Sequence, residues 1–373
     1  MESVFWISVA FLAYVYVGYP LLLAAYTRLA RRPAGNPHVA RAQRRDDFPG
    51  VSIIIAARNE AHRLPRRIEN LLECDYPADK LQIIVASDGS TDATVDALSP
   101  YRNRVELILL PPLGKANALN AAVVRAVHPI LVFADARQRF APDAVRRLVA
   151  HFRDPHIGAV SGELILDSED DSDGRGRSDE ASSTIAEGVG TYWKYEKWLR
   201  RHEAVAGSVV GVTGAIYAMR RYLWQYLPTD TLLDDVLGPM RLVMRGYRVT
   251  FDANARAFDE TAKDASHELR RKTRTLAGNF QLLGQEPRVL VPGVNPVWLQ
   301  FISHKVGRLV APYALVAIFI SNAMRVITSP TPFYLLTFAA QVGFYALAVY
   351  GVALDRRGRM TAITGCEVNR EAA

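Results

Sequence analysis

Residues Val4 to Thr27 form a run of 24 positions without a charged side chain, longer than the ~20 apolar residues an α-helix needs to cross a bilayer. In lipid the backbone can satisfy its polar groups only inside a helix or a closed barrel, so this run predicts a membrane-spanning helix. A secretory leader would have a basic start, a shorter apolar core and a small-residue cleavage site. Here Met-Glu-Ser precedes the run and Arg28, Arg31 and Arg32 follow it. Two further apolar segments lie near the other end. Leu309 to Met324 is bounded by Arg308 and Arg325, whose long side chains can reach the interfaces. Phe333 to Leu354 adds 22 uncharged residues after the break Ser329-Pro330-Thr331-Pro332.

Basic flanks of short loops favour the cytoplasmic side. The arginines after the first span and the cluster Asp355-Arg356-Arg357-Gly358-Arg359 after the third therefore both belong inside, which three spans allow. The chain is expected to be a multi-pass protein of the inner (cytoplasmic) membrane with its central domain in the cytoplasm. Asn295 to Val306 mixes aromatic and basic residues, as a short helix lying in the interface does; the other reading is the first turns of the second span. The expected division is 1–30 first span, 31–49 basic linker, 50–290 cytoplasmic domain, 291–308 interfacial helix, 309–355 two spans and 356–373 tail. The formal charge of +7 thus sits beside apolar segments and implies membrane lipids as partners, with no nucleic acid. Cys74 and Cys366 are too far apart for a CxxC metal site or a disulfide framework, as in a reducing compartment.

Between the spans the pattern alternates strands and helices. Val51 to Ala56 is a β-branched run suited to a strand buried on both faces. Leu64, Ile68, Leu71 and Leu72 give the next segment one apolar helical face. Leu81 to Ala86, Val105 to Leu110 and Ile130 to Ala134 are further strands, with a helix from Lys115 to Val127. The order β-α-β-α-β-α-β predicts an α/β fold with a parallel sheet, in which ligands bind beyond the carboxyl ends of the strands. The polar groups at that edge are Arg58-Asn59-Glu60, Ser87-Asp88-Gly89-Ser90-Thr91-Asp92, Gly114-Lys115-Ala116-Asn117 and Asp135-Ala136-Arg137. Taken singly, each is ordinary turn and capping chemistry; together they suit a nucleotide. Neither a GxGxxG nor a GxxxxGK[ST] motif is present.

These motifs, with Gly211-Val212-Thr213-Gly214-Ala215, Leu233-Asp234-Asp235 and Arg271-Lys272-Thr273-Arg274-Thr275, resemble the membrane-bound family 2 glycosyltransferases, relatives of hyaluronan, cellulose and poly-N-acetylglucosamine synthases. The resemblance covers almost the whole chain. It implies a GT-A (Rossmann-like) fold and inverting transfer of a sugar from a nucleotide-diphosphate sugar, a UDP-sugar by expectation, to a lipid-linked or growing glycan in polysaccharide biosynthesis.

By that resemblance Asp88 holds the nucleoside with Glu60 nearby, and Lys115 lies beside the donor. Asp135 takes the first place of the family's Asp-x-Asp, where carboxylates hold Mg2+ or Mn2+. Arg137 stands where the second carboxylate would be, so either Asp135 and water suffice for the ion or Arg137 supplies positive charge itself. Asp235 matches the base that deprotonates the acceptor, at the head of a helix with an apolar face from Val236 to Met244, while Asp234 suits the helix N-terminus. Arg271 and Arg274 replace the family's Gln-x-x-Arg-Trp, with Arg for Gln and Thr275 for Trp; Arg274 keeps the charge for a diphosphate, and the absent Trp removes an acceptor-lining group. A basic helix facing solvent or lipid headgroups is the plainer reading of this cluster.

The acceptor region is expected around Trp193, Thr213, Gly214 and Asp234. The aromatic stretch Tyr192 to Trp198 suits either sugar stacking or helix packing, and Asp167 to Ser183 reads as a flexible loop following a strand from Ile157 to Leu166. Two other functions fit less of the pattern: a polyprenyl-phosphate sugar synthase, which usually lacks a span before its catalytic domain, and a non-catalytic nucleotide-binding partner of a synthase. Three spans are few to enclose a channel, so polymer export would call for a homo-oligomer or an export partner.

Overall fold

The computed structural model describes residues 1–29, 48–167, 194–260 and 265–371. It divides into two compact units, one of Tyr19–Val306 and one of Met1–Gly18 with Gly307–Ala373.

The larger unit is built on an eight-stranded sheet of order β3-β2-β1-β4-β7-β6-β8-β5. The strands are β1 (Val51–Ala57), β2 (Leu81–Asp88), β3 (Val105–Leu110), β4 (Ile130–Ala134), β5 (Arg139–Phe140), β6 (Ile157–Asp167), β7 (Ile216–Arg220) and β8 (Arg248–Glu260). β1 to β4 pair in parallel, with Ile54 opposite Ile84 on one side and Phe133 on the other. That is the expected half, and β1 is buried on both faces as its isoleucines require. The second half is mixed. β7 runs antiparallel to both β4 and β6, and β6 pairs in parallel with β8.

Helices cover both faces. α3 (Leu64–Leu72) and α6 (Ala144–Ala150) put Leu64, Ile68, Leu71 and Leu148 into one core. α5 (Lys115–Arg125) and α8 (Asp234–Met244) put Leu119, Ala122, Leu237 and Met240 into the other. α5 stops before the expected Val127, because the N–H groups of Val127 and His128 donate to Gln82 Oε1 and Ser52 Oγ at 3.0 and 3.2 Å and draw the chain back to the sheet. A short helix, α4, spans Thr94–Ala97, and residues 194–206 form α7; α9 spans Ala265–Gln285 and α10 Trp298–Phe301. α2 (Tyr19–Leu29) also belongs to this unit. Three described helices are long and apolar enough to cross a membrane: Glu2–Leu29, Trp298–Thr328 and Pro332–Gly351. The segment from Trp298 is thus helical straight into the second of these, through a π turn at Ile302–Val306.

The smaller unit packs α1 (Glu2–Ala13), α11 (Gly307–Thr328) and α12 (Pro332–Glu371) around Phe5, Ile318 and Tyr334. Asn322, fully buried, hydrogen-bonds the side chains of Thr337 and Gln341 at 3.1 Å, the kind of polar bridge that joins helices in apolar surroundings. The loop expected from Asp167 to Ser183 lies outside the described residues but for Asp167, which ends β6, and Trp193 lies outside them too.

Of the four described glycines with positive φ, Gly89 at 61° and Gly246 at 86° make an informative pair. Alanine at either position costs about 1–2 kcal/mol in backbone conformation. At Gly89 an added Cβ would also lie 2.7 Å from Pro112, whereas at Gly246 nothing lies within 4 Å. Gly89→Ala is therefore expected to lower the thermal unfolding temperature further than Gly246→Ala; equal shifts would show that the Pro112 packing carries no weight.

Candidate active site

The carboxyl ends of β1, β2 and β4 meet on one edge of the sheet, where β2 and β4 flank β1 on opposite sides. After β1 the chain turns through Asn59 at φ 55°. Its Oδ1 accepts from the Thr91 N–H at 2.8 Å, and its own N–H donates to Ser90 Oγ at 3.1 Å. The turns after β1 and β2 are thereby locked together. Glu60 accepts from Arg63 at 2.8 Å. Asp88 ends β2, is 4% exposed, and its Oδ1 accepts from the N–H groups of Leu113 and Gly114 at 2.8 and 2.9 Å. Its Oδ2 faces Arg58 at 4.0 Å. Asp88 thus fixes the loop that launches α5.

The first residue of α5 is Lys115, and its ammonium is the hub of the site. Nζ lies 3.4 Å from Asp135 Oδ1, just past β4, and 3.4 Å from Asp234 Oδ2, at the start of α8. Burial alone would lower the Lys115 pKa, but Asp135, Asp234 and Asp235 outweigh it and raise it. Burial raises the Asp235 carboxyl above the usual range, and Asp234 adds to the shift against Lys115. Beneath the carboxylates sits Tyr217 of β7, 1% exposed and stacked on Phe133 with ring centroids 4.5 Å apart. Burial first, then Asp234, Asp235 and Asp135, push its phenol far up, so it stays a neutral group.

Arg274 of α9 joins the cluster, donating to the Leu232 carbonyl at 3.2 Å and adding its charge near Lys115. Arg271 lies one turn earlier on the exposed side of α9. Thr213 and Gly214 lie against the same place: the Val212 N–H donates to the Asp235 carbonyl at 2.9 Å, and a Cβ at Gly214 would come within 3.3 Å of Asp235 Oδ2. Arg137 turns toward Asp259 of β8, donating to Oδ2, which also accepts from Gln138 at 2.9 Å. Asp259 is 3% exposed and 122 residues away in sequence, so only the substitution of Arg for a carboxylate at 137 hinted that a counter-charge was needed. Arg67, 2% exposed and stacked over Phe140 at 4.0 Å, also adds positive charge toward Asp135; burial lowers its pKa to about 10. Tyr217, Asp259 and Arg67 were not evident from the motifs.

Among the described residues no three His, Cys, Asp or Glu side chains converge as a complete metal-ligand set. A Mg2+ or Mn2+ ion shared with a diphosphate needs only one or two carboxylates from the protein. Asp135, 39% exposed, and Asp234, whose buried Oδ2 accepts no hydrogen bond, are hard oxygen donors on the same cation. The donor set fits such an ion.

Residues 52–227 match the family model described as Glycosyl transferase family 2. Poly-beta-1,6-N-acetyl-D-glucosamine synthase of Staphylococcus aureus is 26% identical over 214 residues, 56% of this chain and 49% of that protein. The Staphylococcus epidermidis enzyme of that name is 22% identical over 213 residues, 55% and 48% of the two chains. The chain spans about half the length of these curated relatives. Among solved structures, a mannosyltransferase from Pyrobaculum calidifontis in complex with GDP-Man and Mn2+ superposes with a TM-score of 0.68 and 25% identity, over 94% of this chain and 95% of its own. Fold, motif order and matched sequence agree: residues 52–227 are a family 2 glycosyltransferase domain, built on the GT-A fold.

Proposed function

We propose that this chain is an inverting glycosyltransferase of the inner membrane, transferring a sugar from a nucleotide-diphosphate sugar to a lipid-linked or growing glycan at the cytoplasmic leaflet. The observation that carries this reading is the placement of Lys115 between Asp135 and Asp234, with Asp235 next to them at the head of α8. The three apolar helices and the relatives' named activity support the membrane setting and the glycan product.

In the proposed reaction the acceptor hydroxyl attacks the anomeric carbon while the bond to the diphosphate breaks, and Asp235 takes the hydroxyl proton. Burial suits Asp235 to that task, because a carboxylate with a raised pKa is a stronger base. Lys115 and Arg274 face the leaving diphosphate with positive charge, and the oxygen of Asp88 that faces Arg58 is open to a nucleoside hydroxyl or base N–H. A divalent ion held by Asp135, with Asp234 beside it, would neutralise charge on the leaving phosphates. Arg137 contributes less free charge than its position suggests, because Asp259 engages it.

Asp235→Asn is expected to lower kcat by about 100-fold or more, the usual weight of a general base, while nucleoside diphosphate still binds. Unchanged turnover would overturn the assignment of the base. Because only the ionised carboxylate accepts a proton, activity falls as pH drops through the Asp235 pKa. That pKa lies above the ordinary carboxylate range, so the acid limb of kcat is expected at higher pH than a free aspartate would give. A limb at or below that range would contradict the burial argument.

Release of nucleoside diphosphate from UDP-, GDP- and dTDP-sugars by the protein in lipid is expected to stop in EDTA and return with Mg2+ or Mn2+. Asp135→Asn should raise the ion concentration for half-activity by about 10-fold, the lower end for loss of a ligand's support. Turnover that survives EDTA would assign the diphosphate to Lys115 and Arg274 without a metal, and no turnover of any donor would overturn the transferase reading.

A further inference from the structure

The turn that leads from Asp135 at the end of β4 into β5 is held from two sides. On one side Asn70 of α3 clamps Phe140, accepting from its N–H at 2.8 Å and donating to its carbonyl at 3.0 Å. On the other side β8 supplies Asp259, whose Oδ2 accepts from Arg137 Nη2 and from Gln138 Nε2, on consecutive residues of the turn. The register of β5 against β8, with Arg139 opposite Phe258, sets Asp259 beside them. The carboxylate is sealed from solvent while the Arg137 side chain stays half-exposed, so one nitrogen of the guanidinium is committed to the interior.

Arg137 is the counter-charge that Asp259 has. Among the described residues Asp259 makes no second ion pair, and its Oδ1, like the neighbouring Gln138 Oε1, is buried and accepts no hydrogen bond. A carboxylate taken out of water keeps its charge only while a cation stays on it, and taking that cation away leaves an uncompensated buried charge. Arg137 is therefore hard to draw off Asp259. This matters because Arg137 follows Asp135 by two residues, in the turn whose first carboxylate faces Lys115. A guanidinium released there would have two anions to pair with, the Asp135 carboxylate and a bound phosphate. Either pairing would bring a further positive charge against a divalent ion at Asp135 and repel it.

We propose that Asp259 is a positioning residue that holds Arg137 away from Asp135 and so reserves Asp135 for a divalent cation shared with the diphosphate. This rests on the reading of Asp135 as that ion's ligand. Arginine stands where the family's Asp-x-Asp has its second carboxylate, and the pairing accounts for how the site accommodates it. Asp259, 122 residues further along the chain, cancels the charge that the substitution introduces. Gln138, donating to the same oxygen, fixes the direction in which the carboxylate faces the arginine.

The test is Mn2+ binding by the full chain in nanodiscs of neutral lipid with saturating UDP or GDP and no donor sugar, read from the electron paramagnetic resonance signal of the free ion. Asp259→Asn keeps the size of the side chain and an oxygen for Gln138 but loses the charge that holds Arg137. It is expected to weaken Mn2+ binding about 10-fold, the lower end for loss of a group that supports a metal ligand. Adding Arg137→Gln to that variant should restore the native affinity, because it removes the released charge; a variant weakened by poor folding would not be repaired by a second substitution. Unchanged Mn2+ affinity in Asp259→Asn, or a loss that Arg137→Gln does not repair, overturns the inference. The native chain gives a second reading that needs no variant. Phenylglyoxal labelling of Arg137, mapped by mass spectrometry, should be the same with and without UDP or GDP, and protection by nucleotide overturns the inference by showing that the arginine leaves Asp259 for the phosphates. Nucleoside diphosphate release is measured in parallel. A native chain that binds Mn2+ and whose Asp259→Asn variant binds it equally keeps the transferase and metal readings and loses this one; a native chain that turns over donor yet binds no Mn2+ loses the metal reading, and this inference with it.

Discussion

The Lys115 ammonium is the interaction on which the candidate site depends. It touches Asp135 from the end of β4 and Asp234 from the head of α8, segments a hundred residues apart, and so ties the parallel half of the sheet to the helix that carries Asp235. Three carboxylates gathered on a partly buried edge would repel one another without a cation among them. The same arrangement gives the three different environments. Asp135 stays substantially exposed, Asp234 is sealed, and Asp235 is held short of easy ionisation. A lysine at the first position of a helix, aimed by the loop before it, is thus the element that lets acid groups from distant segments share one place.

Much of the parallel half was legible because its signals are local. The isoleucines of β1, the spacing of Leu64, Ile68 and Leu71, and the polar residues after each strand follow directly from strand and helix periodicity. Of the mixed half only β6 was legible, as a strand from Ile157 to Leu166; β7 and the edge strand β5 are short and gain their place by pairing with partners far along the chain. Their burial comes from tertiary context, which no local pattern records.

The site divides in the same way. Asp88, Lys115, Asp135 and Asp235 stood out as polar groups at motif positions, and the fold gathers Lys115, Asp135, Asp234 and Asp235 at one point. Arg137 did not reveal its partner, because Asp259 arrives on a strand that had no signature. Tyr217 lies on β7, where no strand was expected, and only its stacking on Phe133 puts a neutral phenol under the carboxylates.

Asp88 does two jobs with its two oxygens. One accepts the peptide N–H groups of Leu113 and Gly114, and the other points toward Arg58. Because those two peptides immediately precede Lys115, the first oxygen sets the direction in which the ammonium emerges. A ligand that takes the second oxygen leaves this aim intact, whereas one that draws on the first releases it. The carboxylate therefore works as a bearing: a group can load it from one side while it holds the shaft from the other, and only a ligand that draws on the first oxygen changes where positive charge is delivered at β4.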